Sequence, residues 1–477
     1  MIEAAPDFDV VIVGAGLSGI GMAHHLQRLC PWADYRILEA REAIGGTWDL
    51  FRYPGVRSDS DMHTLGYSFR PWRDGQAIAE GGKIRDYIED TASEAGIDGH
   101  IAFGTRLTRA DWSTADAIWR LETDGAPLTC RFLIMCAGYY SYAEGHRPHW
   151  EGERDFAGQI VHPQFWPEEL DWRDKRVAVI GSGATAVTLV PAMAKEAAHV
   201  TMVQRSPSYV AARPARDKVA AGLKRVLPLK AAAGLTRWKN VLLQQWFFRL
   251  ARHKPQQVKA KLVELVEKEI GPEQARHFTP SYDPWTQRLC LAPDGDLFAA
   301  IREGDASVVT GDIARFGKHG LVMTDGTQIP ADIIVTATGL KLEMAGGAAL
   351  ARDGEPVRLG DTMAYKGVMF GGLPNFASIF GYTNASWTLK ADLSAAWLCR
   401  LLNRMYRTGE RVVIPEADAD VAPQPFLDFS SGYIERAAHE LPKQGATGPW
   451  RLRQSYSADL MNLRYGRLDD GVLRFSR

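Results

Sequence analysis

The 477-residue sequence has no run of apolar residues long enough to cross a membrane and no basic leader at its start. A spanning helix needs about 20 predominantly apolar residues, and a secretory signal begins with positive charge. Here Glu3 and Asp7 precede the first strand-like run. We therefore expect a cytoplasmic protein.

The formal net charge of -1 gives no global attraction to nucleic acid, so no nucleic-acid partner is expected.

Cysteine is scarce, and its spacing is irregular. The five cysteines, Cys30, Cys130, Cys136, Cys290 and Cys399, form no CxxC pair. That pattern argues against a disulfide framework and against a zinc site, so we expect reduced thiols and no metal.

The length of the chain exceeds what one hydrophobic core supports, which predicts two or three domains.

The first motif predicts a strand, a tight turn and a helix. The apolar run Asp9–Val13 is followed by GxGxxG, with its glycines at Gly14, Gly16 and Gly19, and then by the helical pattern MAHHLQRL. Such glycines let the backbone approach a pyrophosphate, which the helix N-terminus binds. Glu39 ends the next apolar run, YRIL, where an acid accepts hydrogen bonds from both ribose hydroxyls. This arrangement predicts a site for FAD or NAD.

The pattern returns further along the chain. The predicted strand Arg176–Ile180 leads into a GxGxxA loop and the helix TAVTLVPAMAK; this segment contains Gly181, Ser182, Gly183, Ala184, Thr185, Ala186 and Val187. The following strand, HVTMVQ, ends in Arg205 and Ser206 instead of an acid. A cation and a hydroxyl at that place suit a 2′-phosphate and predict NADPH. The alternative is that Arg205 is a solvated loop charge.

Two sites with opposite ribose chemistry fit a flavoprotein that is reduced by NADPH. We predict an α/β fold with two dinucleotide-binding, Rossmann-like domains, the second inserted in the first, and a helical insert. The expected divisions are 1–145 and 331–477 for the FAD domain, 146–212 and 289–330 for the NADPH domain, and 213–288 for the insert. Further strands are predicted at Phe132–Cys136 and Asp332–Thr336.

Flavoproteins of this architecture divide mainly into disulfide reductases and monooxygenases. A reductase needs a close pair of cysteines beside the flavin, and the corresponding stretch GGTWDLFRYPGVRSD has none. Cys130 and Cys136 lie in a predicted strand, where burial explains them. The sequence therefore favours a monooxygenase.

Two gapped motifs resemble the fingerprints of type I Baeyer–Villiger monooxygenases, which are class B flavoprotein monooxygenases. The first comprises Gly45, Gly46, Trp48, Tyr53, Pro54, Gly55 and Asp59; the second, between the two nucleotide loops, comprises Phe156, Gly158, His162, Trp166 and Pro167. The stretches RYPGVRSDSDM and GYTNASWTLKADL resemble the ethionamide-activating branch of that family. The resemblance runs from about Phe8 to the C-terminus.

The resemblance implies an enzyme that uses FAD and consumes NADPH. It inserts one oxygen atom of dioxygen next to a ketone carbonyl, giving an ester or lactone, and also oxidises sulfides or thioamides. The alternative within the flavoproteins is a heteroatom monooxygenase that acts on nitrogen or sulfur. An alternative of another class is a membrane-surface binding protein that keeps the nucleotide folds without turnover.

The resemblance also implies roles for particular residues. In the family an Arg, positioned by an Asp, stabilises the negative charge of the reaction; these map to Arg288 and Asp59, for which a structural ion pair is the alternative. FAD contacts map to Ser18, Glu39, Gly46, Thr47, Trp48, Asp49, Asp59 and the backbone near Leu107, and nicotinamide contacts to Arg57 and Ser58. Many members carry a Lys where Gln287 stands. NADPH preference is therefore expected to depend on Arg205 and Ser206.

The second fingerprint lies in a linker, and the resemblance implies that it couples movement of the NADPH domain to events at the flavin. His162 is accordingly not expected to be a proton-transfer base. The alternative is that His162 is a hydrogen-bonded residue that fixes the linker in place.

A basic stretch follows the NADPH motif. From Arg213 to Lys261 there are thirteen Lys or Arg residues and one acid, Asp217. The segment WKNVLLQQWFFRLARHK mixes aromatic, aliphatic and basic positions, which is compatible with an anionic membrane surface. The alternative is a helical substrate domain with a solvated basic face over the NADPH cleft.

Overall fold

A computed structural model describes residues 5–287, 289–417, 420–427 and 432–477. The α-helices are α1 (Leu17–Leu29), α2 (Thr47–Leu50), α3 (Met62–Leu65), α4 (Gly81–Glu94), α5 (Ala184–Met193), α6 (Lys218–Val226), α7 (Leu229–His253), α8 (Pro255–Ala275), α9 (Asp296–Glu303), α10 (Trp387–Thr408), α11 (Gly432–Arg436) and α12 (Tyr456–Asp459). None of the helices described is long and apolar enough to span a bilayer.

The strands of the first half are β1 (Phe8–Val13), β2 (Tyr35–Leu38), β3 (Ile101–Ala102), β4 (Leu107–Ser113), β5 (Ile118–Thr123), β6 (Leu128–Met135), β7 (Tyr140–Gly145), β8 (Gln159–Val161), β9 (Arg176–Ile180), β10 (His199–Gln204) and β11 (Val210–Arg213). Those of the second half are β12 (Cys290–Pro293), β13 (Ala306–Thr310), β14 (Ile313–Gly317), β15 (Gly320–Met323), β16 (Gln328–Pro330), β17 (Ile333–Thr336), β18 (Leu340–Leu342), β19 (Ala349–Arg352), β20 (Glu355–Val357), β21 (Ala364–Tyr365), β22 (Met369–Phe370), β23 (Phe376–Ser378), β24 (Val412–Pro415), β25 (Pro423–Pro425), β26 (Lys443–Gly445) and β27 (Leu473–Ser476).

The first large sheet is organised around β1. Its main path runs β20-β19-β4-β5-β6-β1-β2-β3, and β23 joins it beside β6. β1 pairs in parallel with β2 and with β6. Val10, Val11 and Ile12 are fully buried, as expected for an apolar strand covered on both faces. The carboxyl end of β1, where the GxGxxG loop begins, therefore lies in the middle of the sheet.

The second sheet is parallel and has the order β13-β10-β9-β17-β8. β9 lies between β10 and β17, so its carboxyl end is again central. Together the two sheets confirm the predicted α/β fold class. The predicted return of the chain to the first domain at residue 331 comes too early, because Ile333–Thr336 pairs with β9 and keeps the chain in the second sheet.

Two short parallel strands flank the helical insert. β11 pairs with β12, and α6, α7 and α8 lie between them in the sequence. A second small pairing, β7 with β18, joins the segment that leaves the first sheet to the segment that returns to it. Both connections between the sheets therefore run side by side.

Candidate cofactor and active site

A cavity of about 750 Å³ lies where the two glycine-rich loops face each other. This volume is within the range of cofactor and ligand pockets. Thirteen of the predicted cofactor-binding and catalytic residues line it: Gly14, Gly16, Ser18, Glu39, Gly46, Thr47, Trp48, Arg57, Ser58, Asp59, Leu107, Ala184 and Thr185. The structure therefore brings the first fingerprint and both loops to one place.

The first loop is held tightly against neighbouring backbone. Gly14 has φ +104°, and a Cβ there would come within 2.7 Å of the carbonyl oxygen of Cys136. A Cβ at Gly19 would lie 1.8 Å from the Gly14 carbonyl oxygen. α1 begins after Gly16 with no side-chain cap and no acid in its first turn. Its first amides are thus left for an anionic ligand, as a pyrophosphate requires.

Glu39 presents a carboxylate to this cavity from the end of β2. Its Oε2 accepts a hydrogen bond from the Ala15 amide at 2.7 Å, and its Oε1 accepts one from the Arg41 amide at 3.0 Å. Burial raises the pKa of Glu39, while these two amides lower it. Each oxygen has a further lone pair, which fits hydrogen bonds from the two hydroxyls of a ribose.

The first fingerprint crosses over the first loop. Gly46 has φ +56°, and a Cβ there would lie 3.1 Å from the Cα of Gly16. Asp49 is buried below this crossing and forms ion pairs with Arg41 and, at 2.8 Å, with Arg52. Asp49 therefore holds the segment in place and is not among the residues that line the cavity.

The second loop repeats the geometry of the first. Gly181 has φ +145°, and a Cβ there would lie 2.3 Å from the Ala337 carbonyl oxygen. α5 begins after Gly183, again with no side-chain cap and no acid in its first turn. The Ser182 and Ser208 hydroxyls lie 2.8 Å apart and join this loop to the segment after β10. Ala186 and Val187 point into the core of the second sheet.

Arg205 and Ser206 directly follow β10 and are exposed. They do not line the cavity. Their place at the carboxyl end of β10, beside the second loop, is where a ribose 2′-phosphate would lie in a dinucleotide-binding fold.

Arg57 has a partner that the sequence did not indicate. Its guanidinium forms an ion pair with Asp296, and Arg57 Nη2 lies 3.2 Å from Asp296 Oδ1. Asp296 is the first residue of α9, beside the second sheet. The next residue, Ser58, is buried, and its amide donates to the Ala79 carbonyl. The stretch between Gly55 and Asp59 thus connects the cavity to α9.

Asp59 lines the cavity, close to Tyr53. Burial raises the pKa of Tyr53 to about 12, and a hydrogen bond with Thr185 opposes that shift.

Arg288 lies outside the described residues, so its pairing with Asp59 stays a prediction. Leu291 of β12 lines the cavity.

Several aromatic residues of the wall, among them Trp387, Tyr139 and Tyr142, are not predicted from the sequence. The Trp387 indole N–H donates to Ser18 Oγ at 2.8 Å, and the Trp387 ring stacks on Tyr139 with a centroid separation of 5.4 Å. Tyr142 on β7 forms a hydrogen bond with Thr47, and burial raises the pKa of Tyr142 to about 12. No spacing rule connects these aromatic positions to the nucleotide motifs.

The second fingerprint does not line the cavity, and the predicted linker contains β8, the edge strand of the second sheet, between Gly158 and His162. A Cβ at Gly145 would lie 2.0 Å from the His162 ring, which packs against that end of β7. His162 Nδ1 accepts a hydrogen bond from the Gln164 amide at 3.2 Å, and the Gln164 side chain donates to the Ser141 carbonyl at 2.8 Å. Burial lowers the pKa of His162, which favours the neutral form of its ring.

We expect His162→Ala to lower turnover several-fold while FAD stays bound, because the ring fixes the linker and touches neither nucleotide loop. Steady-state NADPH oxidation and the flavin absorbance of the purified variant measure the two effects. His149→Ala is the matched control, since the His149 side chain is 89% exposed in the same linker. Loss of FAD from His162→Ala would show that His162 is a packing residue of the fold and would contradict the hinge role.

The cysteines give no sign of redox function. All five are free and buried. Burial raises the pKa of Cys130 and of Cys136, so both remain thiols and are poor nucleophiles. Within the described residues, no group of three or more His, Cys, Asp or Glu side chains could hold a metal ion.

The chain is similar to proteins of known family along nearly its whole length. The profile of the pyridine nucleotide-disulphide oxidoreductase family matches residues 11–220. The FAD-containing monooxygenase EthA of Mycobacterium tuberculosis is 52% identical over 477 residues, covering 98% of each chain. The probable FAD-binding monooxygenase AlmA of Acinetobacter baylyi is 45% identical over 98% of this chain and 96% of its own.

Solved structures share the fold. An oxidised steroid monooxygenase bound to NADP superposes with a TM-score of 0.77 at 22% identity, covering 98% of this chain and 99% of its own. The open structure of a cyclohexanone monooxygenase gives a TM-score of 0.75 at 21% identity, covering 98% and 99% of the two chains. At this level of identity the likeness shows the fold alone.

Proposed function

The chain belongs to the family of FAD-containing monooxygenases, and from this we propose that it is an NADPH-dependent Baeyer–Villiger monooxygenase. It inserts one oxygen atom of dioxygen beside the carbonyl of a small ketone, giving an ester or lactone, and it also oxidises sulfides or thioamides. The observation that carries this proposal is that both nucleotide loops and Asp59 of the first fingerprint line one cavity.

The residues around the first loop fit FAD. The amides at the start of α1 would hold the pyrophosphate, and Glu39 would hold the ribose hydroxyls. Ser18, fixed by Trp387, and the segment from Gly46 to Trp48 would hold the cofactor against the backbone near Leu107. When bound, FAD supplies the two-electron chemistry that activates dioxygen.

The residues around the second loop fit NADPH. The amides at the start of α5 would hold its pyrophosphate, and Arg205 and Ser206 would hold its 2′-phosphate. Arg57 and Ser58 would hold the nicotinamide end, because both line the cavity between the two loops. Arg57 is kept in place by Asp296.

We expect Arg205→Ala to erode the preference for NADPH over NADH. Losing one charge-assisted contact to phosphate costs about 1.5 to 3 kcal/mol, or about 10- to 100-fold in affinity. The ratio of kcat/KM for the two coenzymes measures this change. Arg154→Ala, at another exposed Arg of the same domain, is the control and should leave the ratio unaltered. Equal use of both coenzymes by the unmodified protein would contradict the assignment.

The reaction places negative charge on oxygen as the ester forms. We assign the stabilising cation to Arg288 and its alignment to Asp59. An Arg suits this position because it stays charged in a desolvated cleft, whereas a Lys there loses its proton more readily.

A panel of ketones and thioethers with NADPH tests the proposal. Mass spectrometry of the products should show esters or lactones from the ketones and sulfoxides from the thioethers. Oxidation of thioethers or amines with no ester from any ketone would replace the proposal with a heteroatom monooxygenase. A colourless protein that consumes no NADPH would dismiss enzymatic function.

We further propose that the enzyme works in the cytoplasm and contacts membranes peripherally through its helical insert. Free thiols at all five cysteines fit a reducing compartment. Fractionation of the expressing cells should give a peripheral pool that salt releases. A pool that only detergent releases would contradict this attachment.

A further inference from the structure

Helix α7 of the insert turns much of its polar surface toward the protein. Asn240 Nδ2 donates to Asp61 Oδ1 at 2.8 Å, and Gln244 Nε2 donates to Asp61 Oδ2 at 3.1 Å. Asp61 is fully buried and caps α3, directly after the first fingerprint. The buried residues of α7 are Ala232, Thr236, Asn240, Val241 and Ala251. A large part of the docking of α7 is thus made by hydrogen bonds.

Two cations of the basic stretch take part in this docking. Arg237 Nη1 donates to the Gly66 carbonyl at 2.7 Å, and its Nη2 lies 3.7 Å from Asp392 Oδ2. Lys239 pairs at 2.5 Å with Asp217, the one acid of the stretch. These cations are part of the fold, so the prediction of a solvated basic face does not hold for them.

The opposite side of α7 is apolar and exposed. Leu235, Trp238, Leu242 and Trp246 are 54%, 43%, 57% and 58% exposed. Their spacing of three or four residues aligns them in one stripe along the helix, about 16 Å long. Of the fifteen exposed large hydrophobic side chains in the described part of the chain, eight lie between Val219 and Trp246. A concentration of this kind marks an interaction surface.

Exposed cations lie on both helices of this surface. Arg249 follows Trp246 by three residues on the same side of α7, Lys230 lies at the start of α7, and Lys218 and Arg225 are exposed on the neighbouring helix α6. Across the residues that the structure describes, none of these four forms an ion pair with a carboxylate. Because Asp217 is already paired, the surface has an uncompensated positive charge. Two copies of such a face would repel each other, which argues against a dimer through it.

We propose that α6 and α7 form a docking surface for an anionic lipid bilayer. The stripe of Leu235, Trp238, Leu242 and Trp246 enters the interface between headgroups and acyl chains, and the Lys and Arg side chains of the two helices contact lipid phosphates. This inference rests on the peripheral membrane contact proposed above. It adds that α6 and α7 form the contact surface and that the lipids are anionic.

Co-sedimentation of the purified holoenzyme with lipid vesicles tests the surface. Vesicles rich in phosphatidylglycerol should bind the protein, pure phosphatidylcholine vesicles should bind much less, and added salt should release it. Trp238→Ser combined with Trp246→Ser should lower the bound fraction at least about fivefold. Lys230→Gln combined with Arg249→Gln should lower it on anionic vesicles. Tyr406→Ser, at an aromatic 60% exposed elsewhere, is the control and should bind as the parent does.

Equal binding to both kinds of vesicle, or binding that neither double variant weakens, would overturn the proposal. So would a parent that sediments as a dimer, binds no vesicles and becomes a monomer in the tryptophan variant. NADPH oxidation with a ketone, measured on the same preparations, should stay within about twofold of the parent, since none of these residues lines the cavity and Trp238 packs only at its edge, on Tyr456. An inactive parent that binds anionic vesicles would contradict the proposed enzyme and leave the docking surface standing.

Discussion

Arg288→Ala should reduce ester formation by about 100-fold or more, corresponding to about 3 kcal/mol of lost charge stabilisation. FAD should remain bound, because neither nucleotide loop contains this residue. NADPH oxidation will slow less than ester formation, and the NADPH that is consumed should appear as hydrogen peroxide. Product analysis together with a peroxide assay measures how much of the consumed NADPH yields ester and how much yields hydrogen peroxide.

Asp59→Ala is the companion variant. It leaves the cation present but poorly aligned, so it should show a milder form of the same defect. An Arg288→Ala variant that forms ester at the parental rate would contradict the mechanism. Arg288 and Asp59 would then be assigned to a structural ion pair.

Gly19→Ala should weaken FAD binding by about 100-fold or more. An added Cβ would lie 1.8 Å from the Gly14 carbonyl oxygen, so either α1 or the first loop must move. Overpacking of this kind costs about 3 kcal/mol, which corresponds to about 100-fold in binding. The flavin content of the purified variant and titration with added FAD measure the loss.

Gly82→Ala provides the matched control for this change. Gly82 lies in α4, and a Cβ there would meet nothing within 4 Å. This variant should keep FAD, and circular dichroism should show that both variants fold. If Gly19→Ala retained parental affinity for FAD, the close packing of α1 on the first loop would not position the cofactor.

Local pattern was sufficient to predict the central strands of both sheets. Asp9–Val13 and Asp332–Thr336 were predicted as strands, and the observed β1 and β17 differ from them by one residue at one end. Both runs are mostly apolar and β-branched, and the observed strands directly follow Asp7 and Asp332. Cys130 was predicted to be buried in a strand, and it lies in β6 with no exposed surface.

The contacts that complete the cavity could not be predicted, because they join residues that are distant in sequence. Trp387 donates to Ser18 across 369 residues, and Arg57 pairs with Asp296 across 239. The membership of β17 in the second sheet is equally non-local, which is why the domain boundary was placed too early. Periodicity also cannot tell which side of α7 faces the protein, since both sides carry polar and apolar residues.

The incorporation of isotopically labelled dioxygen into an ester tests the central claim most directly. Purified protein, NADPH and a simple cyclic ketone are incubated under the labelled gas, and the product is analysed by mass spectrometry. We expect a lactone that contains one labelled oxygen atom, formed with consumption of NADPH. Oxidation of NADPH with hydrogen peroxide as the sole product for every ketone tested, while a thioether is converted to its sulfoxide, would contradict Baeyer–Villiger chemistry.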